Sequence, residues 1–258
     1  MNSYYTLITA HSGFDNSIPN SLDSVIAGME SGSDFVEVDV RSTKDGIAVL
    51  FHDDFIMTKK YGAINICDFT FSELNKLIKS NPISKDRITE IITLDAAISV
   101  AKDFHGLLNM DVKDDSWILP MVKAIRDANM VDSIIFSGCD YTRASYIKDN
   151  YPEFQVLLNL DEYQLINKNI SDYIIADDIC RMAIKAACCG INSEFKYLSD
   201  ELIQTARKRY LPISIWTLSD SDNLDYYLKM GLYSITTTAV SLLVEKRKRF
   251  TEKWHYPV

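Results

Sequence analysis

No stretch of this chain reaches the ~18 consecutive apolar residues that a membrane-spanning helix needs. The N-terminus, Met1-Asn-Ser-Tyr-Tyr-Thr-Leu-Ile8, lacks both the basic region and the long apolar run of a secretory signal. Basic excess is missing too: 27 Lys and Arg face 36 Asp and Glu, and the formal net charge of -9 opposes binding to nucleic acid or to an anionic membrane surface. Cys67, Cys139, Cys180, Cys188 and Cys189 are odd in number and lack paired C-x-x-C spacing, which excludes a disulfide framework or a structural zinc site and predicts reduced, mostly packed thiols. Tandem repeats and low-complexity segments are absent. These absences together predict a soluble, cytoplasmic protein with no nucleic-acid partner and no stable membrane association; they leave the oligomeric state open. Any anionic substrate must then be attracted by a local positive centre, and a metal ion could be that centre.

What is present is enough apolar material, 47% of 258 residues, for one sizeable core. That length suits a single α/β barrel domain spanning residues 1–258 better than two small domains. Short β-branched or aromatic runs alternate with helical patterns, the mark of repeated β-α units. The predicted strands are Tyr5–Ala10, Phe35–Val40, Leu107–Val112, Ser133–Phe136, Gln155–Leu158, Gly190–Ser193, Ile213–Thr217 and Ser234–Thr236. The predicted helices include Ser21–Glu30, Thr93–Lys102, Trp117–Ala128, Tyr141–Asn150, Ile179–Cys188, Asp200–Arg209, Asp220–Lys229 and Val240–Arg249. Ile170–Asp178 fits a strand or a loop, and Asn81–Ile92 an irregular insertion. The alternation closes as a (β/α)8 TIM barrel.

Two of these strands carry chemistry. In Phe35-Val-Glu-Val-Asp-Val40, Glu37 and Asp39 are two apart and share one face, while Val36, Val38 and Val40 share the other. In Leu107-Leu-Asn-Met-Asp-Val-Lys113, Asn109, Asp111 and Lys113 likewise oppose Leu108, Met110 and Val112. An antiparallel edge strand would show such a polar face to water; in a parallel barrel it points into the mouth, where chemistry gathers at the carboxyl ends of the strands. His11 follows the first strand, His52 ends the extension Ile47–His52 after the second, and Trp216 nears the end of the seventh, so all fall on one rim. Trp216 either fills a barrel layer or lines a pocket. Three converging carboxylates, Glu37, Asp39 and Asp111, suit a hard divalent cation, Mg2+ or Ca2+, whereas zinc would recruit His or Cys. His105 and His255 lie outside these motifs, and the run Glu245–Arg249 reads as a solvated helix face.

The segments Ile8-Thr-Ala-His-Ser-Gly13, Asp34-Phe-Val-Glu-Val-Asp-Val40, Thr43-Lys-Asp-Gly46, Phe51-His-Asp53, Leu108-Asn-Met-Asp-Val-Lys113, Ser214-Ile-Trp-Thr-Leu-Ser219 and Ile235-Thr-Thr237 occur in the order found in the glycerophosphodiester phosphodiesterase family, which the chain resembles from near residue 8 to near 240. The resemblance implies a phosphatidylinositol-phospholipase-C-like barrel that hydrolyses a small-molecule glycerophosphodiester to glycerol 3-phosphate and an alcohol. It also implies one divalent cation held by Glu37, Asp39 and Asp111, His11 and His52 as the acid–base pair, and Lys113, Trp216 and Asn20 near the substrate.

The chain departs from the family pattern at four places. His11-Ser12-Gly13 stands for His-Arg-Gly, so a guanidinium able to grip phosphate is missing there. Pro19 stands for the glutamate of Pro-Glu-Asn-Thr, while Asn20 stays; Asp111 stands for a longer glutamate; and Thr236-Thr-Thr-Ala239 replaces Thr-Asp/Asn-x-Pro. These changes resemble a divergent bacterial branch of the family. Two alternatives follow: a phosphodiesterase for a bulkier diester, such as a lysophospholipid or teichoic-acid fragment, and a barrel that binds metal and anion without turnover.

Overall fold

The computed structural model describes residues 5–58, 62–80, 89–115, 118–160 and 172–252. In chain order its strands are Leu7–Ala10 (β1), Phe35–Ser42 (β2), Ala48–Leu50 (β3), Phe55–Thr58 (β4), Gly62–Asn65 (β5), Ile92–Thr93 (β6), Leu107–Val112 (β7), Ile134–Cys139 (β8), Gln155–Leu160 (β9), Gly190–Glu194 (β10), Ile213–Leu218 (β11) and Ser234–Thr237 (β12). β1 pairs in parallel with β12 on one edge and β2 on the other, and β2, β7, β8, β9, β10, β11 and β12 follow as parallel neighbours. The result is a closed eight-stranded parallel barrel with helices between its strands, the (β/α)8 architecture expected from the alternation.

Each expected barrel strand is present, with ends that differ by up to three residues. Val36, Val38, Val40, Leu108, Met110 and Val112 are all buried in one apolar layer under the helices, and Phe136 stacks on Phe154 with ring centroids 5.0 Å apart. The strand-to-helix turns end in short polar residues whose side chains accept the first free helical N–H groups. Ser21 accepts from Ser24 N, Thr93 from Ala96 N, Asp140 from Arg143 N and Ser199 from Leu202 N, which starts the helices Leu22–Glu30 (α1), Leu94–Asp103, Tyr141–Asn150 and Asp200–Lys208. The helix expected over Trp117–Ala128 is described as Ile118–Ala128; Trp117 lies outside the described residues.

Four expectations are corrected. Residues 172–178, read as a strand or loop, open the helix Asp172–Lys185; Ile170 and Ser171 lie outside the described residues. That helix stops before Cys188 because Ala187 turns to φ 51° and Cys188 N donates back to Ala183 O at 2.9 Å. The helix expected from Asp220 starts at Leu224, since Asp222 spends its carboxylate on Ser219 N and Asn223 becomes the cap. Between β2 and β7 the chain builds more than an extension: β3 and β6 add antiparallel to the barrel edge, β4 and β5 form a hairpin, and Phe71–Ser80 (α2) covers a second apolar cluster around Phe51, Ile56, Ile66, Leu74 and Ile78. Of the insertion expected at Asn81–Ile92, residues 81–88 lie outside the described residues.

The cysteines are free, with Cys139, Cys180 and Cys188 buried. Among the described residues no helix is long and apolar enough to cross a membrane. The run Glu245–Arg249 is not a uniformly solvated face. Arg247, on the last helix Val240–Glu252, is buried: it pairs with Asp34, donates to Thr6 O at 3.2 Å and Gly32 O at 3.1 Å, and lies over the Tyr5 ring. Helical periodicity turns this one position of the charged run toward the barrel base. Arg247→Ala is expected to lower the unfolding free energy by about 3 kcal/mol, because it strands the partly buried Asp34 carboxylate. Chemical denaturation measures this, and an unchanged midpoint would contradict it.

Candidate active site

A cavity of about 360 Å³ opens at the carboxyl ends of the barrel strands. His11, Glu37, His52, Asp111, Lys113 and Trp216 all line it. Strand alternation explains this convergence: Glu37 and Asp39 on β2 face Asn109 and Asp111 on β7 in direct register, all four on the inner side of the barrel. One carboxylate oxygen from each of Glu37, Asp39 and Asp111 lies within 4.8 Å of the others.

The loop after β1 holds two of these carboxylates. Ser12 N donates to Glu37 Oε2 at 2.8 Å, and Ser12 Oγ accepts from Asn20 N at 2.7 Å. Asn20, at φ 54°, donates through Nδ2 to Asp39 Oδ2 at 2.7 Å and accepts from Asp39 N at 3.1 Å. Asn20, expected near the substrate, is thus not among the cavity-lining residues: its whole amide is spent on Asp39. Ser12, at the position where an arginine was expected, instead ties the β1 loop to Glu37.

Charge is crowded here. Burial, together with repulsion from Asp39 and Asp111, pushes the Glu37 carboxyl well above the usual carboxylate range. Burial also raises the Asp39 carboxyl, but the Lys113 ammonium and the Asn20 hydrogen bond outweigh it and hold the group below its ordinary value. Lys113 Nζ lies 2.6 Å from Asp111 Oδ2 and 2.9 Å from Asp39 Oδ1. Burial would lower its own value, yet these two carboxylates raise it. Asp39 Oδ1 is buried beside the Lys113 ammonium, its ion-pair partner. Three acidic oxygens with no histidine or cysteine in the set are a donor arrangement that could hold a hard divalent cation.

The two imidazoles sit in different surroundings. His11 is held through its backbone, with N donating to Thr237 O at 3.0 Å, while its Nδ1 is buried without a partner among the described residues. Burial lowers its pKa against the pull of Asp39, which favours the neutral, proton-accepting ring. His52 is exposed, and its Nδ1 lies 2.7 Å from Asp53 Oδ1. An ionised carboxylate can only accept, so Nδ1 carries the proton and Nε2 is left free for a ligand. Arg41 fixes the His52 backbone by donating to His52 O from Nε at 3.1 Å and Nη2 at 2.8 Å. Trp216 reaches the cavity, and its Nε1 is buried without a partner among the described residues.

Sequence reasoning missed Arg41, Gly138, Arg143, Asn159 and Asn192. Gly138 has φ 69°, and a Cβ there would lie 2.0 Å from Asp111 Oδ1, so only glycine lets β8 end this close to that carboxylate. The signal for Gly138 and Arg143 was their place just after a barrel strand, where mouth residues are expected.

Residues 11–242 match the profile of the glycerophosphoryl diester phosphodiesterase family. A glycerophosphodiester phosphodiesterase of Caldanaerobacter subterraneus subsp. tengcongensis is 24% identical over 93% of this chain and 96% of that protein. In fold, the chain is similar to an Oleispira antarctica phosphodiesterase solved with the product sn-glycerol-3-phosphate (TM-score 0.77, 21% identity, 95% of this chain and 98% of the other). It is also similar to a glycerophosphodiester phosphodiesterase of Thermotoga maritima (TM-score 0.74, 20% identity, 95% and 99%). With the match covering nearly the whole barrel and every mouth segment described above, the chain belongs to the glycerophosphoryl diester phosphodiesterase family and is a phosphoric diester hydrolase.

Proposed function

We propose that this chain hydrolyses glycerophosphodiesters to glycerol 3-phosphate and an alcohol, with one divalent cation, Mg2+ or Ca2+, held by Glu37, Asp39 and Asp111 and with His11 and His52 as the acid–base pair. The observation that carries this reading is the meeting of both imidazoles with Glu37, Asp111 and Lys113 in one cavity, with a buried Asp39 oxygen within 4.8 Å of the other two carboxylates. A cation bound there would neutralise phosphate charge as it builds up. The chain's own groups do the rest. One imidazole takes the proton of the attacking oxygen, from water or from the glycerol hydroxyl beside the phosphate. The other gives a proton to the alcohol oxygen as its bond to phosphorus breaks; where the glycerol hydroxyl attacks, water then opens the cyclic phosphate to glycerol 3-phosphate. Lys113 holds Asp39 and Asp111 in place and adds positive charge where the phosphorane-like transition state gains negative charge.

The cavity is near the small end of the usual range of about 300–1,000 Å³ for ligand pockets. It therefore favours a small dissolved diester, such as glycerophosphocholine or glycerophosphoethanolamine, over a lysophospholipid or polymer fragment. Incubation of the protein with a panel of glycerophosphodiesters in Mg2+, Ca2+ or Mn2+ is expected to release glycerol 3-phosphate and the free alcohol. Release of glycerol and a phosphoalcohol instead would overturn the cleavage assigned here, and turnover of lysophospholipids alone would overturn the substrate class.

A further inference from the structure

We propose that Arg143 forms an anion subsite in the mouth of the barrel and grips the phosphate oxygens of the substrate through the free Nη2 of its guanidinium. The inference deepens the function proposed above and rests on it for the identity of the anion.

Among the described residues, two cationic side chains line the cavity, Lys113 and Arg143. Lys113 is shared between Asp39 and Asp111, which offset part of its charge. Arg143 enters from a different element, the first turn of the helix after β8, where its backbone N donates to Asp140 Oδ1 at 2.7 Å. Its guanidinium is largely buried and fixed from two sides. Nε donates to Asp115 Oδ1 at 2.6 Å, and Nη1 donates to Val112 O at 2.7 Å and to Gly138 O. Val112 follows Asp111 at the end of β7, and Gly138, next to last in β8, packs against the Asp111 carboxylate, so the cation is anchored to the backbone on both sides of that carboxylate. Nη2 has no hydrogen-bond partner among the described residues.

A planar cation immobilised at Nε and Nη1, with the Nη2 N–H groups left over, is preorganised for the oxygens of a phosphate, because the entropic cost of fixing it has been met in folding. A purely structural arginine clamping two strand ends would not need to line the cavity. The partner Asp115 is exposed and hence well hydrated, so it neutralises the guanidinium only partly. Ser12 offers no cation at the loop after β1, and Arg143 supplies one to the same cavity from across the barrel mouth.

The test compares wild type, Arg143→Gln and Arg143→Lys in the metal-loaded protein, with inorganic phosphate and glycerol 3-phosphate as competitive inhibitors and glycerol as the uncharged control. Loss of one charge-assisted contact is expected to raise both anion inhibition constants, and KM, by about 10- to 100-fold in Arg143→Gln. Arg143→Lys recovers part of the loss, and glycerol binding does not change. Anion constants within about twofold of wild type, with only a lower denaturation midpoint, would overturn the proposal and leave Arg143 as a clamp on the β7 and β8 carbonyls. Should Arg143→Gln not fold, Arg143→Lys decides: a change in anion binding supports the subsite, and wild-type values overturn it. Arg143-dependent phosphate binding in a protein that turns over no glycerophosphodiester supports the subsite while sinking the proposed activity. Turnover with Arg143-independent anion binding does the reverse.

Discussion

His11→Ala and His52→Ala are each expected to lower kcat/KM for a glycerophosphodiester by about 10²- to 10⁴-fold, the range for losing a positioned proton-transfer group. Neither change should unfold the protein. The His52 ring is 61% exposed, and the His11 Nδ1 makes no hydrogen bond that its removal would break. Because the two rings serve one displacement, the double variant should be about as slow as the worse single one, not slower by the product of both losses. The nature of the leaving group then sorts the roles. A diester of p-nitrophenol departs without needing a proton, so the variant lacking the general acid regains most of its rate on that substrate, while the variant lacking the base stays slow. Burial holds the His11 ring in its unprotonated form, ready to act as the base, which predicts that His52→Ala is the variant rescued. Single variants within threefold of wild type on both substrates would remove the histidine pair from the mechanism, and the same measurement separates that outcome from a failed fold by its denaturation midpoint.

The carboxylate cluster was legible because period-two alternation is a local rule. Once Val36, Val38 and Val40 are assigned to the helix side, Glu37 and Asp39 must point inward, and the parallel register that sets Asp39 opposite Asp111 follows from joining two similar strands. Histidines at strand ends were legible for the same reason. What stayed hidden depends on long-range placement. Asn20 holds Asp39 only because the chain at Asn20 adopts φ 54° and folds back over β2, a contact with no periodic signature. The helix α2 was missed although its start is marked locally: Thr70 and Glu73 exchange the hydrogen bonds of a capping box, with Glu73 Oε2 accepting from Thr70 N at 2.9 Å and Thr70 Oγ1 from Glu73 N at 3.3 Å. Arg247 shows the converse error. A run of charges was read as uniformly solvated, whereas one arginine in it finds a carboxylate, two carbonyls and an aromatic face from distant parts of the chain, enough to offset its desolvation.

Chelation is expected to reduce turnover by about a thousandfold or more, and added Mg2+ or Ca2+ to restore it, since a cation at a phosphoryl site supplies several kcal/mol of transition-state stabilisation. The carboxylate triad makes this prediction specific to three residues. Glu37→Gln keeps an oxygen able to accept from Ser12 N, and Asp39→Asn keeps one for Asn20 Nδ2, so the hydrogen bonds that shape the β1 loop survive while one ligand charge is lost. Each variant should bind the divalent ion more weakly and lose turnover to a similar degree. In chelator, however, neither pays a folding penalty from lost packing, and Glu37→Gln also relieves the repulsion among three carboxylates whose oxygens lie within 4.8 Å of one another. Its denaturation midpoint without metal is therefore expected to equal or exceed that of wild type, while wild type gains more on addition of the ion. That crossing of stabilities is the signature of a site kept for an ion at the expense of the fold. A Glu37→Gln protein that loses stability equally with and without the cation would show instead that Glu37 serves the loop, and the metal assignment would then rest on Asp39 and Asp111 alone, too few protein charges to hold a hard ion against Lys113.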